Sequence, residues 1–441
     1  MHGGMRGDRL AVATIRKAGE DIAFGVQPCV TDAERAAAGR ETVAERFRAQ
    51  LPGNRRRAAE QYAAGGVPQG QEVARVWLPR DPAALRARLG GQELAAWSDD
   101  GILHVLWAGD AELAMVSGGV QAPLWPVDDA AGAPGGNGRL WEASLRIRRV
   151  DEAVITLIVT GTGRDDPAIG GRIRSQLTWR GPDAPPPPEQ VPLRGEIHQH
   201  ALESAALGAP RGVTVYVPPQ AAGSGAGLLP GCILADGQSC APFASVLEAA
   251  ILAGTTPPTV LVGVHNAVTF HPGKPSAPRA DPRGLEYLPL HRSRRFGAHL
   301  AFVTDEVIPW AASRFPVWPG PWTAAGYSNG AVWAIAAGQR RPDIFTGVAA
   351  FSAGVPPRQV SRASRGVRHY LAAGTLEPGF RRATSGWAER LGRAGMAHAY
   401  REWPGGHDSY WWQRELPAAL AWLLKEAGDP GRPGEGRTRA A

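Results

Sequence analysis

"WTAAGYSNGAVWAIAAG", residues 322–338, changes pattern halfway along. Trp322 to Ala325 is a short apolar run that reads as a strand, and Ala331 onward is a run of small and apolar helix formers. Ser328 stands at the join, with Gly326 and Gly330 two residues to either side. A serine forced into a strained strand-to-helix corner needs tiny neighbours at those two positions, because any side chain there would meet the adjoining backbone. The helix behind it directs backbone N–H groups and a positive dipole end toward a negative oxygen. Ser328 is therefore the candidate nucleophile, and the N–H of Asn329 a candidate oxyanion donor.

The chain around this corner alternates strand-like and helix-like segments. "GVTVYVPP" (212–219), "GCILADG" (231–237), "PTVLVGVHN" (258–266), "TGVAAFSAG" (346–354), "RHYLAAG" (368–374) and "AHAYREWPGG" (397–406) read as strands. Several are continuous apolar runs, as a sheet covered by helices on both faces requires. "FASVLEAAILAG", "EVIPWAASRF", "SGWAERLGRAG" and "LPAALAWLLKEAG" read as helices between or after them. Strand and helix in turn imply a mainly parallel, doubly wound α/β sheet, whose ligands gather at the C-terminal strand ends.

A nucleophilic serine needs a base and an orienting acid. His407 lies in "WPGGHDSYWW", a glycine-flanked loop between the last predicted strand and the last helix. Glu377 is the carboxylate after the preceding strand, in "GTLEPG", and would hold the imidazole in the tautomer that accepts the serine proton. The order Ser, acid, His fits a hydrolase whose nucleophile sits on such a corner. Asp408 is a poorer acid, since side chains adjacent in sequence seldom reach one another's ring nitrogen. In "CILADGQSC" the N–H of Gly237 or Gln238 is the expected second oxyanion donor, and Asp236 braces the loop.

Upstream, "ILHVLWAG", "AELAMVSGG", "RLWEASLRI" and "AVITLIV" are short apolar runs at the spacing of an antiparallel β-sandwich, over residues 95–180. "RGPDAPPPPEQVPLRG" carries four consecutive prolines, and residues 181–194 read as a semi-rigid linker. A partly helical extension of unknown role over 1–94, including a helical pattern within 31–65, and a disordered tail over 429–441 complete the expected organisation.

The 441 residues carry a net charge of +7 with only three lysines, Lys17, Lys274 and Lys425. The arginines are scattered rather than gathered in a stripe, which argues against nucleic-acid binding and leaves an anionic small substrate open. Cys29, Cys232 and Cys240 form no disulfide framework. Charged residues interrupt the first 24 residues before a signal-length apolar run forms, and no stretch reaches membrane-span length, so a cytoplasmic location without membrane insertion is expected.

Taken together, these residues resemble the esterase D superfamily, and most of all its enterochelin (ferric enterobactin) esterase branch. The resemblance covers about 195–428 and rests on "ESAALGAPRGVTVYVPP", "LADGQS", "DPRGLEYLP", "GYSNG", "GTLEPG" and "GGHDSYWW". It implies an α/β-hydrolase fold over 195–428, preceded over 95–180 by an immunoglobulin-like all-β sandwich, which the sequence matches more weakly. It also implies a serine esterase without cofactor that cleaves a catecholate siderophore of the enterobactin type to release iron. Arg283 would hold the anionic catecholate, with Tyr327 and Trp411 as further substrate-binding residues. The chain departs from that branch at Asn329 and Ala331, where Phe and Gly are usual.

Other readings concern the same residues. His198, His200, His265, His271, His291 and His299 could suggest a metallohydrolase, but no carboxylate cluster accompanies them, so no metal is expected. The tryptophans near His407 line an acyl pocket or pack a core. A general carboxylesterase or acyltransferase on a non-siderophore ester, and an inactive binding protein on a hydrolase fold, are the rivals. No motif fixes an oligomeric state.

Overall fold

The computed structural model describes residues 15–17, 20–22, 73–75, 81–111, 113–120, 122–127, 139–162, 172–186, 192–221, 227–267, 282–289 and 294–425. The helical pattern within 31–65, Cys29, His271, His291, part of the proline linker and the tail after 428 lie outside the described residues. By its contacts the chain forms two units. One contains residues 1–187, 372–385 and 401–411; the other contains residues 188–371, 386–400 and 412–441.

The first unit is built on antiparallel strands: β1 (Val73–Arg75), β2 (Leu94–Asp99) after helix α1 (Pro82–Leu89), β3 (Ile102–Gly109), β4 (Leu113–Gly118), β5 (Ala122–Pro126), β6 (Arg139–Ile147), β7 (Val154–Thr162) and β8 (Arg172–Arg180). They form one hydrogen-bonded path, β8-β7-β4-β5-β6-β3-β2, with β1 beside β6. β5 pairs with β4 through Ala122–Leu124 and with β6 through Trp125 and Pro126, so one strand carries the path from one half to the other. Alternate residues of both halves, among them Leu103, Val105, Val116, Leu124, Trp141, Leu145, Ile155 and Leu157, bury one shared core. Apolar burial on this scale is the main stabilising term for such a unit.

Eight further strands form a mixed sheet: β9 (Glu196–Leu202), β10 (Arg211–Val217), β11 (Leu229–Ala235), β12 (Val260–Val264), β13 (Val317–Tyr327), β14 (Phe345–Phe351), β15 (Arg368–Gly374) and β16 (His398–Trp403). Their order is β9-β10-β12-β11-β13-β14-β15-β16. β9, β10 and β12 pair antiparallel, whereas β12–β11, β11–β13 and β13–β14 are parallel. The helices are α2 (Cys240–Leu252), α3 (Pro282–Tyr287), α4 (Arg294–Ala301), α5 (Ile308–Arg314), α6 (Asn329–Arg340), α7 (Pro378–Arg393) and α8 (Ser409–Leu424). α6 is buried from Asn329 to Gln339, and its alanines and glycines let a helix surrounded on all sides approach the sheet closely. No helix among the described residues is long and apolar enough to cross a membrane.

Polar residues fix the edges of this sheet. Arg211 of β10 grips Glu286 of α3 with two hydrogen bonds of 2.7 and 2.8 Å. Glu248 of α2, fully buried, accepts the N–H groups of Arg194 and Gly195 at 2.7 Å each and the Tyr216 hydroxyl at 3.0 Å. Three donors on one carboxylate compensate its burial and anchor the chain where it enters β9.

Candidate active site

β13 ends at Tyr327 and α6 starts at Asn329, leaving Ser328 alone at the corner with φ 56° and ψ −123°. L residues rarely adopt this conformation, and such strain gathers at functional sites. Neighbouring backbone holds it there. The Ser328 N–H donates to Phe351 O at 2.9 Å, and its carbonyl accepts from Ala331 N–H at 3.1 Å. A Cβ on Gly326 would overlap the carbonyl of Gly330, and one on Gly330 would come within 3.0 Å of the Ala235 Cβ. Close approach therefore requires Gly326 and leaves little room for a side chain at Gly330.

The parallel register between β11 and β13, with Leu234 opposite Ala325, brings the turn after β11 to the same edge as this corner. Asp236 turns the chain there with φ 64°, and Gly237–Ser239 makes one 3-10 turn into α2. Asp236 braces the loop: its carboxylate takes two hydrogen bonds from Arg283, of 2.7 and 2.6 Å, and one from Asn266 Nδ2 at 2.6 Å. Its own N–H donates to the Tyr287 hydroxyl at 2.9 Å. Gln238 is fixed by its side-chain amide, which donates to Asn266 Oδ1 at 2.8 Å. Burial opposes the charge on Arg283, but the Asp236 hydrogen bonds and charge prevail and hold its pKa above the ordinary arginine value. Arg283 thus commits one edge of its guanidinium to the loop.

Tyr327 is the middle ring of a stack, 5.7 Å from Phe243 and 4.5 Å from Trp412, with its hydroxyl 2.9 Å from Ser239 Oγ. Burial pushes its phenol well above the ordinary range. Both faces of the Tyr327 ring are thus covered.

In the first unit, β15 leads to Glu377 and β16 leads to His407. The Glu377 side chain is fully buried; Oε1 accepts Gly374 N–H at 2.6 Å and Oε2 lies 2.6 Å from His407 Nδ1. Phe380 covers the imidazole at 4.2 Å between ring centroids. The two loops are tied together by Thr375 N–H to Trp403 O at 3.0 Å and Leu376 N–H to Gly405 O at 2.9 Å. Trp411, read from the sequence as substrate-binding, is instead 5% exposed, stacks on Trp403 and donates its indole N–H to Val154 O at 3.1 Å. It packs and holds rather than lines an open wall.

Four of the histidines considered as metal ligands lie among the described residues. His198 and His200 pack with Phe315, and His265 lies 2.8 Å from Thr214 Oγ1. His299 is in the core against Tyr287 and Trp333. Asn266, Tyr287 and Phe243 were not legible as site residues, because each reaches its partner across a distance in sequence that no local motif records.

A mixed sheet flanked by helices, with a strained serine where a strand gives way to a helix, is an α/β-hydrolase-type architecture. Residues 204–423 match the sequence model of an esterase family, described as "Putative esterase". No curated protein sequence matches the chain. The structure resembles the enterochelin esterase of Shigella flexneri at 17% identity and TM-score 0.57, over 77% of this chain and 98% of that one. The ferric enterobactin esterase of Salmonella typhimurium is similar at 19% identity and TM-score 0.57, over 78% and 99%. The Shigella flexneri enterobactin esterase crystallised in the presence of enterobactin gives 18% identity and TM-score 0.58, over 77% and 98%. These shares are too large to lie within residues 204–441, so the likeness in fold takes in strands of the first unit.

Proposed function

We propose that the protein is a serine esterase that cleaves the backbone esters of a catecholate siderophore of the enterobactin type, freeing the iron. The observation that carries the serine mechanism is the 2.6 Å contact of His407 Nδ1 with a buried Glu377, on loops that follow strands of the sheet whose β13 presents Ser328. Ser328 Oγ attacks the ester carbonyl as His407 Nε2 takes its proton, and Glu377 stabilises the imidazolium through Nδ1–H. The carbonyl oxygen becomes an oxyanion held by the N–H of Asn329 and that of Gly237 or Gln238; each such donor contributes about 3–4 kcal/mol. Collapse expels the alkoxide, which takes the proton from His407, and leaves an acyl-serine. Water, deprotonated by the same imidazole, then releases the acid and restores Ser328. This chemistry draws on side chains and backbone alone.

The siderophore reading is supported by the likeness in fold to enterobactin esterases over nearly their whole length. An arginine-rich chain with a net charge of +7 favours anionic substrates. On this reading the N-terminal strands correspond to the immunoglobulin-like domain of those esterases, and the enzyme works in the cytoplasm on imported ligand. A second reading, a general carboxylesterase or acyltransferase, is favoured by the covered rings of Tyr327 and Trp411, neither of which presents an open face to a catechol.

The test is to incubate wild type and Ser328→Ala with a p-nitrophenyl ester and with ferric enterobactin, separating the acid products by chromatography. Serine-dependent cleavage of the siderophore well above that of the simple ester supports the first reading. Cleavage of the simple ester alone supports the second, equal activity of both proteins would sink the serine mechanism, and equal inactivity would favour an inactive binding protein on a hydrolase fold or an ester of another class.

A further inference from the structure

β4 pairs with β7 only as far as Gly118 opposite Leu157, and the chain then turns away with Gly119 N–H on Thr156 O at 2.7 Å. Beyond that point the outer edge of β7 still presents Thr156 N–H and Val154 C=O, and an unpaired buried edge is costly. The histidine loop covers it. Asp408 Oδ2 accepts Thr156 N–H at 2.9 Å, and Trp411 Nε1 donates to Val154 O at 3.1 Å. Asp408, 4% exposed, uses its other oxygen to accept Tyr410 N–H at 2.9 Å, which caps the start of α8. The loop lies so close to these strands that a Cβ on Gly406 would overlap Gly119 O, and one on Gly405 would meet the Trp411 indole. Gly406 is thus set by contact with the chain that leaves β4, and Gly405 by the Trp411 indole that ties to β7.

We propose that Asp408 is a positioning residue for His407: one carboxylate fastens the histidine loop to the edge of β7 and caps the following helix, with the Trp411 indole as a second tie. This inference rests on the serine-esterase reading for its catalytic consequence. The N-terminal strands would then be part of the apparatus that aims the imidazole, and loosening either tie lets the ring drift. A displacement near 1 Å costs roughly a hundredfold in rate.

Asp408→Asn keeps the size, and its single oxygen can cap Tyr410 while its amide N–H₂ faces Thr156 N–H. The measurements are kcat and KM for a p-nitrophenyl ester, the melting temperature, and the far-downfield proton NMR signal of the Nδ1–H to Glu377 bond, assigned by its loss in Glu377→Gln. The expected result is kcat lower by about 10–100-fold, KM changed by less than about threefold, and a broadened or missing downfield signal. A lowered melting temperature with kcat and signal unchanged would reduce Asp408 to a structural residue and overturn the proposal. Trp411→Phe, which keeps a ring and drops only the N–H to Val154, repeats the test should the first variant not fold; an intact signal and kcat there would also count against it. Should wild type show no Ser328-dependent cleavage, the esterase reading fails, while the downfield signal in Asp408→Asn still decides whether the loop is held this way.

Discussion

Replacing Glu377 with Gln separates an orienting carboxylate from a merely buried one. Oε1 accepts Gly374 N–H at 2.6 Å and Oε2 meets His407 Nδ1 at 2.6 Å, inside a side chain with no exposure. Gln has one oxygen for these two positions. The Gly374 N–H is backbone and cannot turn away, so placing the amide N–H₂ against it would leave a buried donor unpaired at about 1–3 kcal/mol. The oxygen therefore stays on Gly374, and the amide N–H₂ faces Nδ1. The imidazole must then carry its proton on Nε2, where it cannot accept one from Ser328. A wrong tautomer of this kind lowers kcat about 10⁴-fold in serine proteases, or about 5 kcal/mol in the barrier. The assay is kcat/KM for p-nitrophenyl acetate, with the melting temperature measured alongside and Ser328→Ala as the floor. A folded Glu377→Gln protein losing less than about thirtyfold would refute this role.

Other outcomes follow from the same geometry. Gly326→Ala places a methyl on the Gly330 carbonyl, so activity falls to the Ser328→Ala level and the melting temperature drops, both read on one preparation. Glu248→Gln keeps one acceptor for three donors and lowers stability by about 2–4 kcal/mol, measured by urea unfolding, with KM unchanged in the protein that remains folded. His299 and His369 are neutral in the fold, because burial pushes each down to about 3, whereas an unfolded histidine protonates near 6.5. The unfolded chain therefore binds more protons below pH 6.5, and their contribution is full above that value and fades toward pH 3, by up to about 1.4 kcal/mol per pH unit for each residue. Urea midpoints at pH 7 and pH 5 should show that slope, and His369→Gln should flatten it.

The strands and helices around Ser328 were legible because buried parallel strands and their helices leave unbroken apolar runs, and because Gly326 and Gly330 announce a corner by spacing alone. The Glu377–His407 pairing followed from chain order and a choice of one carboxylate. The surroundings of Trp411 and Tyr327 were not legible: an aromatic residue next to a catalytic motif looks the same in sequence whether its ring is open or stacked, and only the packing of Trp403, Phe243 and Trp412 decides. The single path of the N-terminal strands was hidden because β5 is short and carries two prolines, which weaken its signature. Asp408 read as a poor triad acid, and its bond to Thr156 spans 252 positions that no motif connects.

That separation bears on how the chain is made. A ribosome delivers β7 early, yet Thr156 N–H and Val154 C=O stay uncovered until Asp408 and Trp411 emerge near the other end. During that interval the nascent protein carries an incomplete edge, the kind that invites wrong strand partners and chaperone capture. Production of shortened chains ending before residue 408 should accordingly yield aggregates rather than a well-behaved N-terminal half, and slowing translation would lengthen the exposure rather than relieve it.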